Sequence, residues 1–297
     1  MDFCDSLRAT LLYFDLFEYP LTETELFMFM PEYIDFSTFK ARIGKAGLTS
    51  SDGLYHLRPG FDLPLIRRTR ERRAKWMLTA SSVVGKVIRC FPFVRGAFLS
   101  GSLSKGVDDG NADIDLFIVS AEHRLWICKS ILTLIKKSFL LNKKKFLCPN
   151  YFVTEEHLEI PEKNIFTATE LITLRPLYNE AMLERLIGAN GWIREFYPNY
   201  KLEHSYRPIH NPFVQKALEL PMSDGYSARL DERIMNYYKR VWKRRYPDYS
   251  EHEREFLFRT TPFASKVHPN DYQSKIIGAY ERRLCNEGLT RLTRLNG

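Results

Sequence analysis

The sequence predicts an α+β protein built from three parts that follow one another along the chain. Residues 1–65 contain helical apolar runs and then a hairpin signal, and residues 66–93 indicate one connecting helix. Residues 94–160 alternate between strand, tight turn, strand, helix and strand. Residues 161–297 have mostly helical apolar spacing. We therefore expect a central domain with a sheet, preceded by a small domain and followed by a helical region.

The composition is typical of an ordinary globular protein. The chain has 297 residues, of which 44% are hydrophobic, enough to fill a sizeable core. Its most apolar stretch, residues 125–141, is interrupted by Lys129, Lys136 and Lys137, so it predicts an amphipathic helix and not a membrane span. The N-terminus carries acids where a signal peptide would carry bases, and the five cysteines include no C-x-x-C pair. We expect a cytoplasmic protein with reduced thiols, no membrane partner and no zinc site.

The formal net charge of +8 is unevenly distributed. Residues 1–65 carry ten acids and five bases, whereas the bases concentrate at residues 67–75, 143–145 and 239–245. A basic cluster attracts polyanions, although a solvated helix face is the commoner explanation of any single cluster. Affinity for duplex DNA depends largely on neutralising phosphates. Tight duplex binding by the acidic first part is therefore not expected, and this part should pack against the core or a protein partner.

The first part is predicted to contain three helices and a hairpin. Thr22 and Glu25 have the spacing of a capping box, in which each side chain bonds the backbone of the other residue. Asp52-Gly53 lies between two short alternating runs within residues 48–57, which is a strong hairpin signal. Three helices followed by a hairpin resemble a winged helix. The predicted helices span residues 7–17, 22–30 and 37–45.

A long helix and three strands are predicted next. Pro64 and the arginine-rich stretch after it begin a helix that extends to about Cys90. The strands are expected at residues 96–99, 114–119 and 146–153, with a helix at residues 124–141 between the second and the third. Further helices are expected at residues 167–174, 179–188, 228–245 and 270–286.

The stretch FLSGSLSKGVDDGNADIDLFIV, residues 98–119, contains the main functional signal. Asp113 and Asp115 are two residues apart, so on a strand their side chains would share one face. Two neighbouring carboxylates repel each other unless a cation lies between them, and oxygen ligands of this kind suit Mg²⁺. An alternative explanation is a turn at residues 109–111 with both acids solvated in a loop.

Gly101-Ser102 supplies the other half of the predicted site. Glycine lets the backbone approach a phosphate closely, and the serine hydroxyl can donate a hydrogen bond to it. Lys105 could neutralise charge on the same triphosphate. A phosphate-binding turn beside a metal-binding strand is typical of phosphoryl or nucleotidyl transfer, in which metal ions stabilise the attacking and leaving oxygens.

The spacing of Gly101-Ser102 and Asp113-Ile114-Asp115 between apolar strands resembles the signature of the DNA polymerase beta-like nucleotidyltransferase superfamily. Gly-Ser-Leu-Ser-Lys-Gly is similar to the form found in its small prokaryotic branch. The motifs cover residues 94–153. The resemblance implies a mixed sheet with flanking helices, a nucleoside triphosphate (NTP) donor and one or two Mg²⁺ ions. It also implies that Asp113 and Asp115 hold the metal, and that Gly101, Ser102 and Lys105 bind the nucleotide.

The resemblance also implies a third carboxylate on a later strand, where it helps to deprotonate the acceptor hydroxyl. The third predicted strand offers Asn150 at this position. An amide oxygen can bind a metal ion, but an amide cannot act as a general base. Glu155 and Glu156 lie just beyond the strand and could replace Asn150 only if the loop folds back. The sequence thus supports nucleotide binding more strongly than turnover.

Three functions follow from these patterns. The first is a cytoplasmic enzyme that transfers a nucleoside monophosphate from Mg²⁺–NTP to a hydroxyl of an unknown acceptor: a small molecule, RNA or protein. The second is a non-catalytic nucleotide-binding or regulatory protein with a degenerate site. The third is a DNA-binding regulator that uses the winged helix. Tyr237, Tyr238 and Trp242 alternate with bases and would suit stacking on nucleic acid, but an aromatic core face of an amphipathic helix is the favoured interpretation.

Overall fold

A computed structural model of the chain describes residues 2–110, 112–139, 147–202, 213–222, 224–267, 270–291 and 293–295. The described residues form an α+β protein with one antiparallel and one mixed sheet, which confirms the predicted fold class. The basic cluster 143–145 and the start of the third predicted strand, residue 146, lie outside the described residues.

The first part contains three helices and a small antiparallel sheet of strand order β1-β3-β2. Thr22 and Glu25 form the predicted capping box at the start of the second helix. Asp52 and Gly53 have φ angles of 53° and 75°, the left-handed conformation that a tight two-residue hairpin requires. The elements are α1 (Phe3–Asp15), β1 (Leu21–Thr22), α2 (Glu23–Met28), α3 (Phe36–Ile43), β2 (Ser50–Ser51) and β3 (Leu54–Tyr55).

The central sheet has five strands in the order β7-β4-β5-β6-β8, and only β5 and β6 run parallel to each other. The parallel pair needs a crossover, which α6 provides. The connecting helix α4 begins after the Asp62 cap with Pro64 in its first turn. The elements up to this crossover are α4 (Leu63–Ile88), β4 (Val94–Ser100), α5 (Gly101–Ser104), β5 (Asp115–Ser120), α6 (Leu125–Phe139) and β6 (Cys148–Thr154).

The C-terminal region is mostly helical, but it also contributes both edge strands of the central sheet, which the sequence did not predict. Neither β7 nor β8 has an alternating apolar pattern, since each is short and forms through pairing with a distant strand. Pro176 is tolerated in β7 because an edge strand leaves one row of backbone groups unpaired. The elements are α7 (Ile165–Ile172), β7 (Arg175–Tyr178), α8 (Glu180–Ala189), a 3₁₀ turn (Gly191–Glu195), α9 (Phe213–Glu219), α10 (Asp224–Arg245), α11 (Glu251–Leu257), β8 (Ala264–Lys266) and α12 (Tyr272–Asn286).

The central sheet separates two apolar clusters. Phe98 and Phe117 face the cluster that α1 to α3, α7, α8 and α12 share, and the adjacent register pair Leu99 and Leu116 faces the cluster with α4, α6 and α10. Residues 1–65 therefore pack against the rest of the chain, for example where the Tyr280 hydroxyl donates to the Ala9 carbonyl at 2.9 Å. None of the helices in the described residues combines the length and the apolar character that crossing a lipid bilayer requires.

We predict that Gly85→Ala lowers the melting temperature and that Gly188→Ala does not. A methyl group on Gly85 would lie 2.7 Å from the Leu177 carbonyl oxygen of β7, a backbone atom that cannot easily shift. Overpacking of this kind costs about 1–3 kcal/mol. Gly188, the control position, is an exposed helical glycine with no atom within 4 Å of an added methyl group. Alanine at this position should therefore stabilise the protein by up to about 1 kcal/mol. Thermal unfolding measures both, and equal effects would contradict the close α4–β7 packing.

Candidate functional site

The turn after β4 places the Gly-Ser pair against the start of β5. Gly101 has a φ of 71°, a conformation that side chains other than that of glycine disfavour. A Cβ atom at this position would lie only 2.7 Å from Oδ2 of Asp115. The backbone conformation and the proximity of the carboxylate therefore each require glycine at this position. Ser102, the next residue, is exposed.

Asp115 is the first residue of β5, one residue later than the predicted start of this strand. It pairs in register with Ser100 of β4 and with Cys148 of β6, so its side chain lies where three strands meet. Asp113 precedes the strand, and its carbonyl accepts a hydrogen bond from the Asp115 amide at 3.0 Å. The two acids are half-buried neighbours, but they do not belong to one regular strand as predicted.

Asn150 lies at a β-bulge, the register shift where Leu116 pairs with Pro149 and Phe117 pairs with Tyr151. A bulge leaves one residue without a partner and redirects its side chain. The Asn150 amide nitrogen donates to Oδ1 of Asp115 at 2.6 Å, and its amide oxygen accepts from the Cys148 thiol at 3.2 Å. The structure thus places Asn150 beside Asp115, but the amide nitrogen faces the carboxylate, whereas a metal ligand at this position would have to present its oxygen.

Burial is the main reason that the pKa of Asp115 is raised to about 6. The hydrogen bond from Asn150 lowers this pKa, while the negative charge of Asp113 raises it. A raised carboxyl pKa means that the folded chain binds a proton more tightly than the unfolded chain does. The ionised carboxylate at neutral pH is therefore a local source of instability, which a cation beside it would relieve.

Glu170 is a residue of this site that the sequence did not predict. It is the one charged residue of the otherwise uncharged helix α7, and that isolation is the signal that could have drawn attention to it. Its carboxylate accepts from the Gly101 backbone amide at 3.2 Å and from the Lys105 ammonium group at 2.7 Å. The Lys105 ammonium group also donates to the Gly101 carbonyl at 3.2 Å. A carboxylate thus occupies two of the three groups that were predicted to bind phosphate, those of Gly101 and Lys105.

Glu155 and Glu156 are too far from Asp115 to complete the site. The Glu155 amide donates to the carbonyl of Ser120, the last residue of β5, whereas Asp115 is the first. Six strand residues separate the two ends by roughly 17 Å at about 3.3 Å per residue. Glu155 instead lies 3.5 Å from the Arg95 guanidinium group, and Glu156 is exposed.

A cleft with a volume of about 710 Å³ is lined in part by Gly101, Asp115, Asn150 and Glu170. Its floor includes Phe117 and Tyr151, whose rings are stacked with centroids 5.1 Å apart. Its wall on one side comes from the first part of the chain and includes the end of α1. This wall is fixed to the turn that follows β4, because the Tyr19 hydroxyl donates to the Lys105 carbonyl at 3.2 Å.

The lining of the cleft also includes part of a second polar cluster around Glu162, whose side chain is buried. Its carboxylate accepts from Lys266 at 3.0 Å, from Arg259 at 3.2 Å and from the Tyr151 hydroxyl at 3.4 Å. Burial is the first cause that raises the pKa of Tyr151, followed by the charge of Glu162. This cluster contains two cations and one anion, and a further acid, Asp271, also lines the cleft.

The oxygen donors beside Gly101 suit a hard divalent cation only in part. Mg²⁺ usually binds one or two carboxylates and completes its shell with water and substrate phosphate. Asp113 and Asp115 can supply the carboxylates. Among the residues that the structure describes, no three His, Cys, Asp or Glu side chains form a group that could hold a metal ion. The site therefore fits Mg²⁺ completed by water and phosphate, and it does not fit a cage of three carboxylates.

Five of the six predicted site residues line the same cleft, and the exception, Asp113, lies next to Asp115 but outside the lining. No protein-family model, curated protein or solved structure matches the chain. The geometry therefore carries the functional argument. The five lining residues are Gly101, Ser102, Lys105, Asp115 and Asn150.

Asp115→Asn should raise the melting temperature in metal-free buffer at about pH 7.5, and the difference from the native chain should shrink towards about pH 4. The folded pKa of about 6 lies above the ordinary value of 3.8, so the stability that this group contributes is complete below 3.8 and is lost as the pH rises through 6. Asparagine has no charge to desolvate and can still accept the Asn150 hydrogen bond. Glu156→Gln, at an exposed carboxylate, corrects for the change in net charge. A difference that is constant across this pH range would contradict the argument.

Proposed function

We propose that this chain binds a Mg²⁺–NTP in the cleft and transfers the nucleoside monophosphate to a hydroxyl of an acceptor. The observation that carries the proposal is the meeting of Gly101, Ser102 and Asp115 at one end of a nucleotide-sized cleft. A phosphate-binding turn and a metal-binding carboxylate have to meet in this way for nucleotidyl transfer. The acceptor belongs to one of the classes considered above: a small molecule, RNA or protein.

The fold is compatible with the nucleotidyltransferase resemblance. The antiparallel pair β4–β5 carries the Gly-Ser turn and Asp115 at one end, and the parallel neighbour β6 brings Asn150 to the same end. Helices cover both faces of this mixed sheet. As part of the same proposal, the three helices and small sheet of residues 1–65 are a winged-helix-like domain that closes one side of the cleft.

The residues of this chain bind and orient the substrate in the proposed reaction. The Gly101 amide and the Ser102 hydroxyl donate to phosphate oxygens, and Lys105 neutralises their charge. Asp113 and Asp115 would hold Mg²⁺, which supplies charge neutralisation on the triphosphate. The acceptor oxygen bonds to the α-phosphorus, the bond to the bridging oxygen breaks and pyrophosphate leaves. The acceptor proton requires a base, and the Asn150 amide cannot serve.

The Glu170 carboxylate occupies the position at which a phosphate group is expected to bind. A triphosphate that accepts from Gly101 and Lys105 must displace this carboxylate, because two anions at the same donors repel each other. The Glu170 side chain is 29% exposed, so turning it towards the cleft exposes a group that already contacts water. Once displaced, it is a carboxylate beside the bound triphosphate and the best-placed substitute for the missing base.

Nucleotide binding without turnover remains the second candidate function, and Asn150 is the observation that favours it. In this proposal the amide takes the position of the third carboxylate that the nucleotidyltransferase resemblance implies. A site with only Asp113 and Asp115 holds a second metal ion weakly. The cleft would then bind a nucleotide as a regulatory ligand.

Contacts within residues 1–65 bear on the DNA-binding alternative. Lys40 of α3 lies 3.5 Å from the Glu23 carboxylate, and the Arg42 guanidinium group lies 4.2 Å from the centre of the Phe3 ring. Two bases of the helix that would enter a DNA groove are therefore engaged inside the domain. Together with the acidic balance of residues 1–65, these contacts support the prediction that duplex DNA binds weakly.

Calorimetry with Mg²⁺ and each of ATP, GTP, CTP and UTP tests the binding step. At least one nucleotide should bind, and Asp113→Ala combined with Asp115→Ala should abolish the binding. Glu170→Gln should tighten it by about five- to tenfold, because it removes a partly exposed ionic competitor worth roughly 1 kcal/mol. Glu180→Gln, at an exposed acid outside the cleft, is the matched control. Absence of binding, or binding that the double substitution leaves unchanged, would refute the proposal.

Asn150→Asp should increase any trace of pyrophosphate release in the presence of Mg²⁺ and an acceptor. General-base catalysis contributes about 10²–10⁴-fold, and the new carboxylate should recover a measurable part of it. It would also lie beside Asp115, so the variant should unfold at a lower temperature in EDTA and regain stability when Mg²⁺ is added.

Brisk turnover by the native chain, with no change in Asn150→Asp, would show that Asn150 is not the limiting position. Loss of that turnover in Glu170→Gln would then identify Glu170 as the base.

A further inference from the structure

Helix α10 has two very different faces. Its inner face packs on α6 and the sheet: Met235 is buried, and the rings of Tyr238 and Trp126 have centroids 5.3 Å apart. Trp242 stacks on Phe258 at 5.4 Å. Tyr238 and Trp242 are thus half-buried on the packed face of the helix, in agreement with the favoured interpretation of an aromatic face turned towards the core. It is wrong for Tyr237, which is 57% exposed.

The outer face of α10 is strongly basic. From Gly225 to Arg245 one acid, Glu232, is exposed. Within the described parts of the chain, none of the exposed bases on this helix forms an ion pair. This surface therefore has positive charge without local compensation. The seven exposed bases are Arg229, Arg233, Lys239, Arg240, Lys243, Arg244 and Arg245.

Four arginines and two tyrosines form one line along this face. Tyr226 and Tyr237 are 64% and 57% exposed, and they alternate with the arginines at steps of three or four residues, so all six side chains project in one direction. We call this line the α10 stripe. Between its first and last residues it extends roughly 27 Å at about 1.5 Å per residue. Its members are Tyr226, Arg229, Arg233, Tyr237, Arg240 and Arg244.

The stripe does not stabilise the helix that carries it. Like charges four residues apart, as in the pairs Arg229–Arg233 and Arg240–Arg244, destabilise an isolated helix. The helix dipole favours bases only in the last turn, and Arg229 and Arg233 lie in the first half. The exposed tyrosine rings bury little apolar surface. These features disfavour the free chain, and an anionic ligand with flat rings would turn all of them into favourable contacts.

We propose that the α10 stripe is a binding surface for single-stranded RNA. Arginine forks bond phosphates, and their remaining donors can reach the 2′-hydroxyl that RNA has and DNA lacks. Exposed tyrosine rings stack on unpaired bases, which a duplex does not offer. A membrane surface fits less well, because a helix lying on lipid inserts its apolar face, and that face of α10 is already packed against α6. This surface lies outside the residues that line the cleft, so its test is independent of nucleotidyl transfer.

Fluorescence anisotropy of the full chain with a labelled single-stranded RNA of about 12 nucleotides tests the inference. The logarithm of the binding constant should fall with the logarithm of the salt concentration with a slope of about −3, as expected for four phosphate contacts. Arg233→Gln with Arg240→Gln should weaken binding and reduce the slope by about 1.4. Tyr226→Ala with Tyr237→Ala should weaken it by about tenfold or more, with little change in slope.

Arg72→Gln with Arg194→Gln is the matched control, since both are exposed arginines away from α10, and it should change neither quantity. Unchanged melting temperatures show that each variant is folded. Equal loss in the control, or no effect of the tyrosine substitutions, would overturn the proposal. So would equal affinity for DNA of the same sequence, tighter binding to the duplex, or equal binding to vesicles of anionic lipid.

Discussion

The close approach of Gly101 to Asp115 is the contact on which the candidate site depends. It holds the end of β4 against the start of β5 so tightly that a Cβ atom would lie 2.7 Å from the carboxylate. The same carboxylate accepts the Asn150 hydrogen bond from the bulge in β6. One half-buried acid thus connects three adjacent strands, and the sheet geometry fixes the distance between the Gly-Ser turn and the Asp115 carboxylate.

The local features of this site could be predicted from the sequence, and the long-range ones could not. The Gly-Ser turn and the Asp52-Gly53 hairpin depend on a few consecutive residues and form at the predicted positions, whereas of the two acids only Asp115 lies on the strand. Glu170 reaches the site only because α7 packs across the sheet, 65 residues after Lys105. The strands β7 and β8 form because distant partners offer free edges. Pairing of this kind leaves no periodic pattern in a segment of three or four residues.

The division of the sequence into parts does not coincide with the division of the structure into apolar clusters. Residues 1–65 share one core cluster with the sheet, α7, α8 and α12, although their charge and pattern set them apart in the sequence. Tyr19 bonds the Lys105 backbone, and the end of α1 lines the cleft. A change in this first part would therefore affect the Gly-Ser turn through direct contact, and in the proposed function it would alter nucleotide affinity as well as stability.

The ion pair between Glu170 and Lys105 sets a threshold for ligands of the cleft. A single phosphate that binds the Gly101 amide and Lys105 would replace the Glu170 carboxylate with another anion. The displaced carboxylate would also remain close to the phosphate and repel it. A triphosphate makes the same replacement at Gly101 and Lys105, but its further oxygens can reach Ser102 and a metal ion at Asp115. In the proposed function the internal anion would therefore discriminate by the number of linked phosphates, and inorganic phosphate and monophosphates would compete poorly with the triphosphate.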